Sequence, residues 1–94
     1  MSEGKPASGR LRVERVQSGV RMEKRLIKIL KALADLNDMS LGDLLEGIVL
    51  HAFDGKAPFG AKSLEQIQVL KQLHGFELDS SSSHRMLDKE ETRR

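Results

Sequence analysis

The chain contains no cysteine, no tryptophan and no tyrosine, and its only aromatic side chains are three phenylalanines among 94 residues. Without cysteine there is no disulfide framework, no thiol nucleophile and no cysteine-ligated zinc, and a reducing, cytoplasmic setting is expected. Without bulky aromatics, a core must be assembled from Leu, Ile, Val, Met and Ala, which favours helices. Apolar runs extend over only a few residues, and Met1 to Arg10 is polar, so the sequence predicts neither a membrane span nor a secretory leader. A mass of 10.5 kDa leaves room for one small domain plus tails and none for a large buried active site.

Catalytic signatures are missing as well. His51, His74 and His84 are scattered without a second ligand pattern, no glycine-rich phosphate loop occurs, and no serine stands in a nucleophile elbow. No enzyme activity, catalytic residue, cofactor or metal ligand is expected, and His51 is expected at a surface or interface.

What is present is an uneven charge. The total is +2, but residues 1–25 carry seven basic groups (Lys5, Arg10, Arg12, Arg15, Arg21, Lys24, Arg25) against three acidic ones (Glu3, Glu14, Glu23), giving +4. Residues 26–60 carry three against five, giving −2, and residues 61–94 balance six against six. An anionic partner for the N-terminal segment accounts for this, nucleic acid before membrane because no bulky apolar anchor lies nearby. On charge alone, a solvated basic tail accounts for it equally well.

Along the chain, Met1 to Gly9 has the composition of a flexible arm. A strand-like alternation follows. Val16, Ser18, Val20 and Met22 share one face, and Arg15, Gln17, Gly19 and Arg21 the other, so a short β-strand beginning near Val16 is expected. From Glu23 the period changes to 3.6, with Leu26, Ile29 or Leu30, Leu33, Ala34 and Leu36 forming the stripe of a helix that Asn37-Asp38 ends. Ser40 and Asp43 form a capping-box pattern that opens a second helix through Leu44, Leu45, Ile48, Val49, Ala52 and Phe53, stopped at Asp54-Gly55. Ser63 and Gln66 repeat that pattern before a shorter amphipathic helix through Leu64, Ile67, Leu70 and Leu73, which needs a docking surface and stops at Gly75. Beyond Phe76, the Ser80–Ser83 run and the charged end read as disordered, with a little helix around Arg85 to Glu91.

A lone strand leaves half its backbone groups without partners, and no second strand pattern occurs in the chain. The simplest partner is the same strand of a second copy, paired antiparallel about a two-fold axis. Val16, Val20, Met22, Leu30, Leu33, Leu44, Leu45, Ile48 and Val49 would then form the core of an intertwined homodimer. Sharing a core also relieves the size problem of roughly 40 ordered residues.

From Val20 to Phe53 the sequence resembles the ribbon-helix-helix DNA-binding proteins of the Arc, MetJ and CopG type. The residues that carry the resemblance are Val20-Arg21-Met22, then Leu26, Leu30, Leu33 and Ala34, Ser40, Asp43, Leu44, Leu45, Ile48 and Val49. It covers about a third of the chain and departs at Glu23, Asp38 and Gly42, where the family often has Pro, Gly and Ser. The fold it implies is mainly α with one short β-strand: an intertwined ribbon-helix-helix dimer, here with an additional short C-terminal helix. The chain then divides into a flexible basic arm at 1–14, a DNA-binding domain at 15–55, a linker and amphipathic helix at 56–76 and a disordered tail at 77–94.

The resemblance places the base-reading positions at Gln17, Gly19 and Arg21. Arg21 suits guanine O6 and N7, and Gln17 suits adenine N6 and N7. Gly19 has no side chain to read with; it either lets the backbone approach the bases or weakens the strand. Ser40, with the N–H groups of Leu41 and Gly42, can hold a phosphate at a helix N-terminus, a role compatible with simple capping. Arg12, Arg15, Lys24 and Arg25 add phosphate contacts. The expected function is sequence-specific binding of double-stranded DNA by the ribbon in the major groove, as a cytoplasmic, nucleoid-associated repressor or autoregulator. The alternatives are an interaction module, such as an antitoxin whose residues 56–94 clasp a partner protein, and a plasmid or phage segregation or copy-control protein using the same surface.

Overall fold

The computed structural model describes residues 10–88. The expected arm at 1–9 and the end of the tail at 89–94 lie outside the described residues. Within them are three α-helices, α1 (Lys24–Leu36), α2 (Leu41–Phe53) and α3 (Ala61–Leu73), followed by a single 3-10 turn at Ser80–Ser82. No strand occurs among the described residues, which corrects the expected ribbon-helix-helix architecture: residues 10–23 precede α1 without regular structure. The physical reason is that extended backbone becomes a strand only against a partner ladder, and the chain supplies none.

The two helices of the resemblance stand where the periodicity places them. Glu23 caps α1, its carboxylate accepting a 2.8 Å bond from the Leu26 N–H. Ser40 caps α2 through a 3.0 Å bond from the Asp43 N–H to its Oγ, one half of the expected box. The box expected at Ser63 is not the start of α3. That helix begins at Ala61 from an extended Gly60 with no side-chain cap, so Ser63 falls inside its first turn. Ala61 and Lys62 are good helix formers, and Phe59 just before them is packed against the core, which together move the cap three residues upstream, from Ser63 to Gly60.

All three helices end in the same way. A residue in the left-handed region follows each cap: Asp38 (φ 56°), Gly55 (φ 69°) and Gly75 (φ 57°). The next N–H then reaches back to the carbonyl five residues earlier, Met39 to Ala34 at 3.0 Å, Lys56 to His51 at 2.8 Å and Phe76 to Lys71 at 2.9 Å. These are Schellman closures, and they satisfy carbonyls that a helix end otherwise leaves open.

α1 is the centre of the fold, with α2 and α3 both packed against it. Ile29, Leu33, Ala34, Leu44 and Leu70 are buried, Leu33 most deeply at 1% exposure, with Leu30, Ile48, Phe59, Ile67 and Phe76 packed around them. The docking surface that α3 requires is therefore its own chain. Polar bonds pin it near its middle and just past its end: Asn37 Nδ2 donates to Gln66 Oε1 at 3.1 Å, and Arg25 Nη1 donates to the Gly75 carbonyl at 2.8 Å. The first bond lies at the end of α1 and the second near its start, so α3 runs antiparallel to α1. In the stretch expected to be disordered, Asp79 and Ser82 exchange backbone-to-side-chain bonds that close the 3-10 turn, and residues 85–88 are not helical.

Candidate nucleic-acid interface

Residues 10–22 are exposed throughout. Four arginines (Arg10, Arg12, Arg15, Arg21) face one acidic residue (Glu14) in this stretch, a balance of +3. Leu11, Val13, Val16 and Val20 are exposed in the same segment, Val16 and Val20 at 79% and 72%. The apolar face expected to lie on the helices is thus uncovered in the single chain, as is part of Met22. Gln17, Gly19 and Arg21 alternate along the exposed backbone. A methyl group built at Gly19 meets nothing within 4 Å, so no close approach inside the chain demands glycine there.

Two of the segment's arginines are engaged with carboxylates of the folded unit. Arg15 makes a two-pronged pair with Glu46 on α2, Nε to Oε2 and Nη2 to Oε1, both at 2.8 Å. That hydrogen-bonded contact raises the Arg15 pKa and holds Glu46 below its ordinary value. Arg21 pairs with Asp88 beyond the 3-10 turn. Of the remaining candidates, Arg12 and Lys24 are exposed.

Arg25 is committed to the fold. Its Nε lies 3.2 Å from Glu23 Oε2, its Nη1 reaches the Gly75 carbonyl, and its guanidinium lies 5.5 Å from the centre of the Phe76 ring. Burial pushes the Glu23 carboxyl up, but the Leu26 N–H and Arg25 outweigh it and leave the group below its ordinary value. One cluster thereby joins the cap of α1 to the end of α3. Sequence spacing gave no sign of it, since Arg25 and Gly75 are fifty residues apart.

At the start of α2, the first helical bond runs from the Leu44 N–H to the Ser40 carbonyl at 3.0 Å. The Leu41 and Gly42 N–H groups precede it and sit at the positive end of the helix dipole. Asp43 and Glu46 lie close behind on the same helix and temper that field. Further along α2, Leu44 is buried against the core and Leu45 and Ile48 are half-buried, whereas Val49 and Phe53 are exposed, Phe53 at 81%. Leu45, Val49 and Phe53 are spaced i, i+4, i+8 and form an open apolar stripe. Phe53 was absent from the expected dimer core, although its spacing from Leu45 and Val49 identifies it.

His51 turns back on its own helix, Nδ1 lying 2.7 Å from the Gly47 carbonyl. A methyl group built at Gly47 also meets nothing within 4 Å. Among the described residues no group of three His, Asp or Glu side chains is placed to hold a metal ion, and no helix is long and apolar enough to cross a membrane. In comparisons with known proteins, the chain matches no family model, no curated protein and no solved structure.

Proposed function

We propose that this chain binds double-stranded DNA as a homodimer and regulates transcription by occupying its site. The observation that carries the reading is the segment 10–22: without regular structure, exposed at every residue, +3 in charge and bearing four uncovered apolar side chains. Exposed arginines at this density attract phosphates and release counterions, a source of affinity that needs no sequence choice. Arg21 and Gln17 are the side chains assigned to base edges, and Ser40 with the Leu41 and Gly42 N–H groups to a phosphate. Support also comes from the helical part of the ribbon-helix-helix resemblance, in which α1, its left-handed stop at Asp38, the Ser40 cap and α2 follow in the implied order.

The dimer contact is assigned to the open stripe Leu45, Val49 and Phe53. A second copy covers such a stripe symmetrically, the same patch facing itself across a two-fold axis. α3 spends Ile67 and Leu70 on α1 and leaves Leu64, Val69 and Leu73 exposed.

The test is Arg21→Ala measured on a selected binding sequence and on random duplex. The expected result is a loss of about 1–3 kcal/mol on the selected sequence with little change on random DNA. Equal losses on both would reduce Arg21 to a phosphate contact and remove the sequence-reading claim.

A further inference from the structure

Two of the four arginines in segment 10–22 are tied to carboxylates elsewhere in the chain, and the ties are well separated. Arg15 is held by Glu46 on α2 with a fork-on-carboxylate geometry, both bonds at 2.8 Å. Arg21, six residues later, is held by Asp88, which follows the 3-10 turn and is the more covered partner, its side chain 23% exposed. The turn itself is fixed by its own bonds: Ser81 N–H to Asp79 Oδ1 at 3.0 Å, Asp79 N–H to Ser82 Oγ at 3.1 Å, and Arg85 Nη1 to the Ser81 carbonyl at 3.0 Å. Asp88 is thus delivered to Arg21 from a closed turn, and Glu46 to Arg15 from a rigid helix.

A carboxylate and a DNA phosphate offer arginine the same chemistry, two anionic oxygens at hydrogen-bond distance. We infer that Glu46 and Asp88 form a latch: they occupy Arg15 and Arg21 in the DNA-free chain, hold residues 10–22 against the folded unit, and are displaced by phosphates or base edges on binding. This rests on the DNA-binding reading and adds a regulatory consequence to it. The affinity of the arginine segment is set below its intrinsic value by two internal competitors, one of them on the C-terminal stretch. Exposed ion pairs are weak, so each competitor holds affinity down by roughly twofold to fivefold. A ligand engaging the C-terminal stretch and withdrawing Asp88 would raise DNA affinity by that factor, and DNA would raise the ligand's affinity equally, because coupling between two sites is reciprocal.

The experiment compares the full-length wild type with E46Q, D88N and the double variant, together with D88N in an R21A background and E46Q in an R15A background. Two readouts are taken. The first is affinity, at low salt, for a fluorescent duplex carrying the selected binding sequence, on which Arg21 acts; the second is the backbone amide heteronuclear NOE of residues 10–22 without DNA. Each single carboxylate change is expected to tighten binding by roughly twofold to fivefold, and the double change by more. The same changes lower the NOE across 10–22, and neither gains affinity once its arginine partner is gone. That last arm separates release of an arginine from the mere removal of negative charge. Residues 10–22 equally ordered in wild type and double variant would overturn the latch. So would full gains in the R15A and R21A backgrounds. Loss of order in the double variant, with no binding by any of the chains, would overturn the DNA reading and the competition built on it, leaving the two pairs as a structural tether.

Discussion

Replacing Phe53 by Ala separates the two ways in which α2 can matter. Phe53 is 81% exposed in the single chain, so about four-fifths of the benefit of burying it is still to be gained. Full burial of a phenylalanine side chain is worth about 1.5–3 kcal/mol, and a two-fold axis places two copies in one interface. Allowing for the methyl group that alanine keeps, the dimer should lose about 2–4 kcal/mol, a rise in dissociation constant of roughly 30- to 1,000-fold. The folded monomer, in contrast, should lose less than about 0.5 kcal/mol, as surface substitutions generally do. Sedimentation equilibrium over a dilution series reads the first quantity, and denaturant unfolding of the dilute, monomeric protein reads the second. Two results would refute the reasoning: a wild type that is monomeric throughout the series, or a variant whose association is unchanged.

Three further outcomes follow from the packing and the caps. Leu70→Ala should lower stability by about 2–5 kcal/mol, because this buried residue seats α3 on Ile29 and Leu33; a loss below 1 kcal/mol by denaturant titration would detach α3 from the core. Asp38→Gly should raise stability by about 0.5–1 kcal/mol, since φ there is 56° and glycine reaches that region without a Cβ penalty; thermal unfolding is the check. Glu23 has a folded-state pKa below its unfolded value, so its contribution is present above the ordinary carboxylate pKa and is lost as pH falls through the depressed one. Glu23→Ala should therefore cost about 0.5–2 kcal/mol at neutral pH and flatten the loss of stability seen below about pH 4.5, a difference read by denaturant titration across that range.

The helices were legible because their determinants are local. A 3.6-residue apolar period, Ser40 as a cap, and Asp38, Gly55 and Gly75 as left-handed stops all lie within a few residues of the ends they set. The start of α3 departs from the expected one for an equally local reason: Ser63 and Gln66 have capping-box spacing, but Ala61 and Lys62 extend the helix past it. The strand is a different matter. Alternation at Val16, Ser18, Val20 and Met22 encodes a two-faced extended segment, whereas a strand also needs a neighbour, and no single-chain pattern supplies one. The site residues divide along the same line. Parity separates Gln17 and Arg21 from Val16 and Val20, but both faces of the segment are exposed, and the commitment of Arg25 to Gly75 and Phe76, and of Arg15 to Glu46, depends on contacts between elements far apart in sequence.

The most direct trial of the account is a salt titration of binding to random duplex and to a selected sequence. Association is expected at low salt, with log K falling linearly against log salt at a slope of about −0.9 for each phosphate neutralised and a selected sequence bound about a thousandfold or more tighter than random. Absence of binding even at the lowest salt would contradict the central claim that residues 10–22 form a DNA-binding surface.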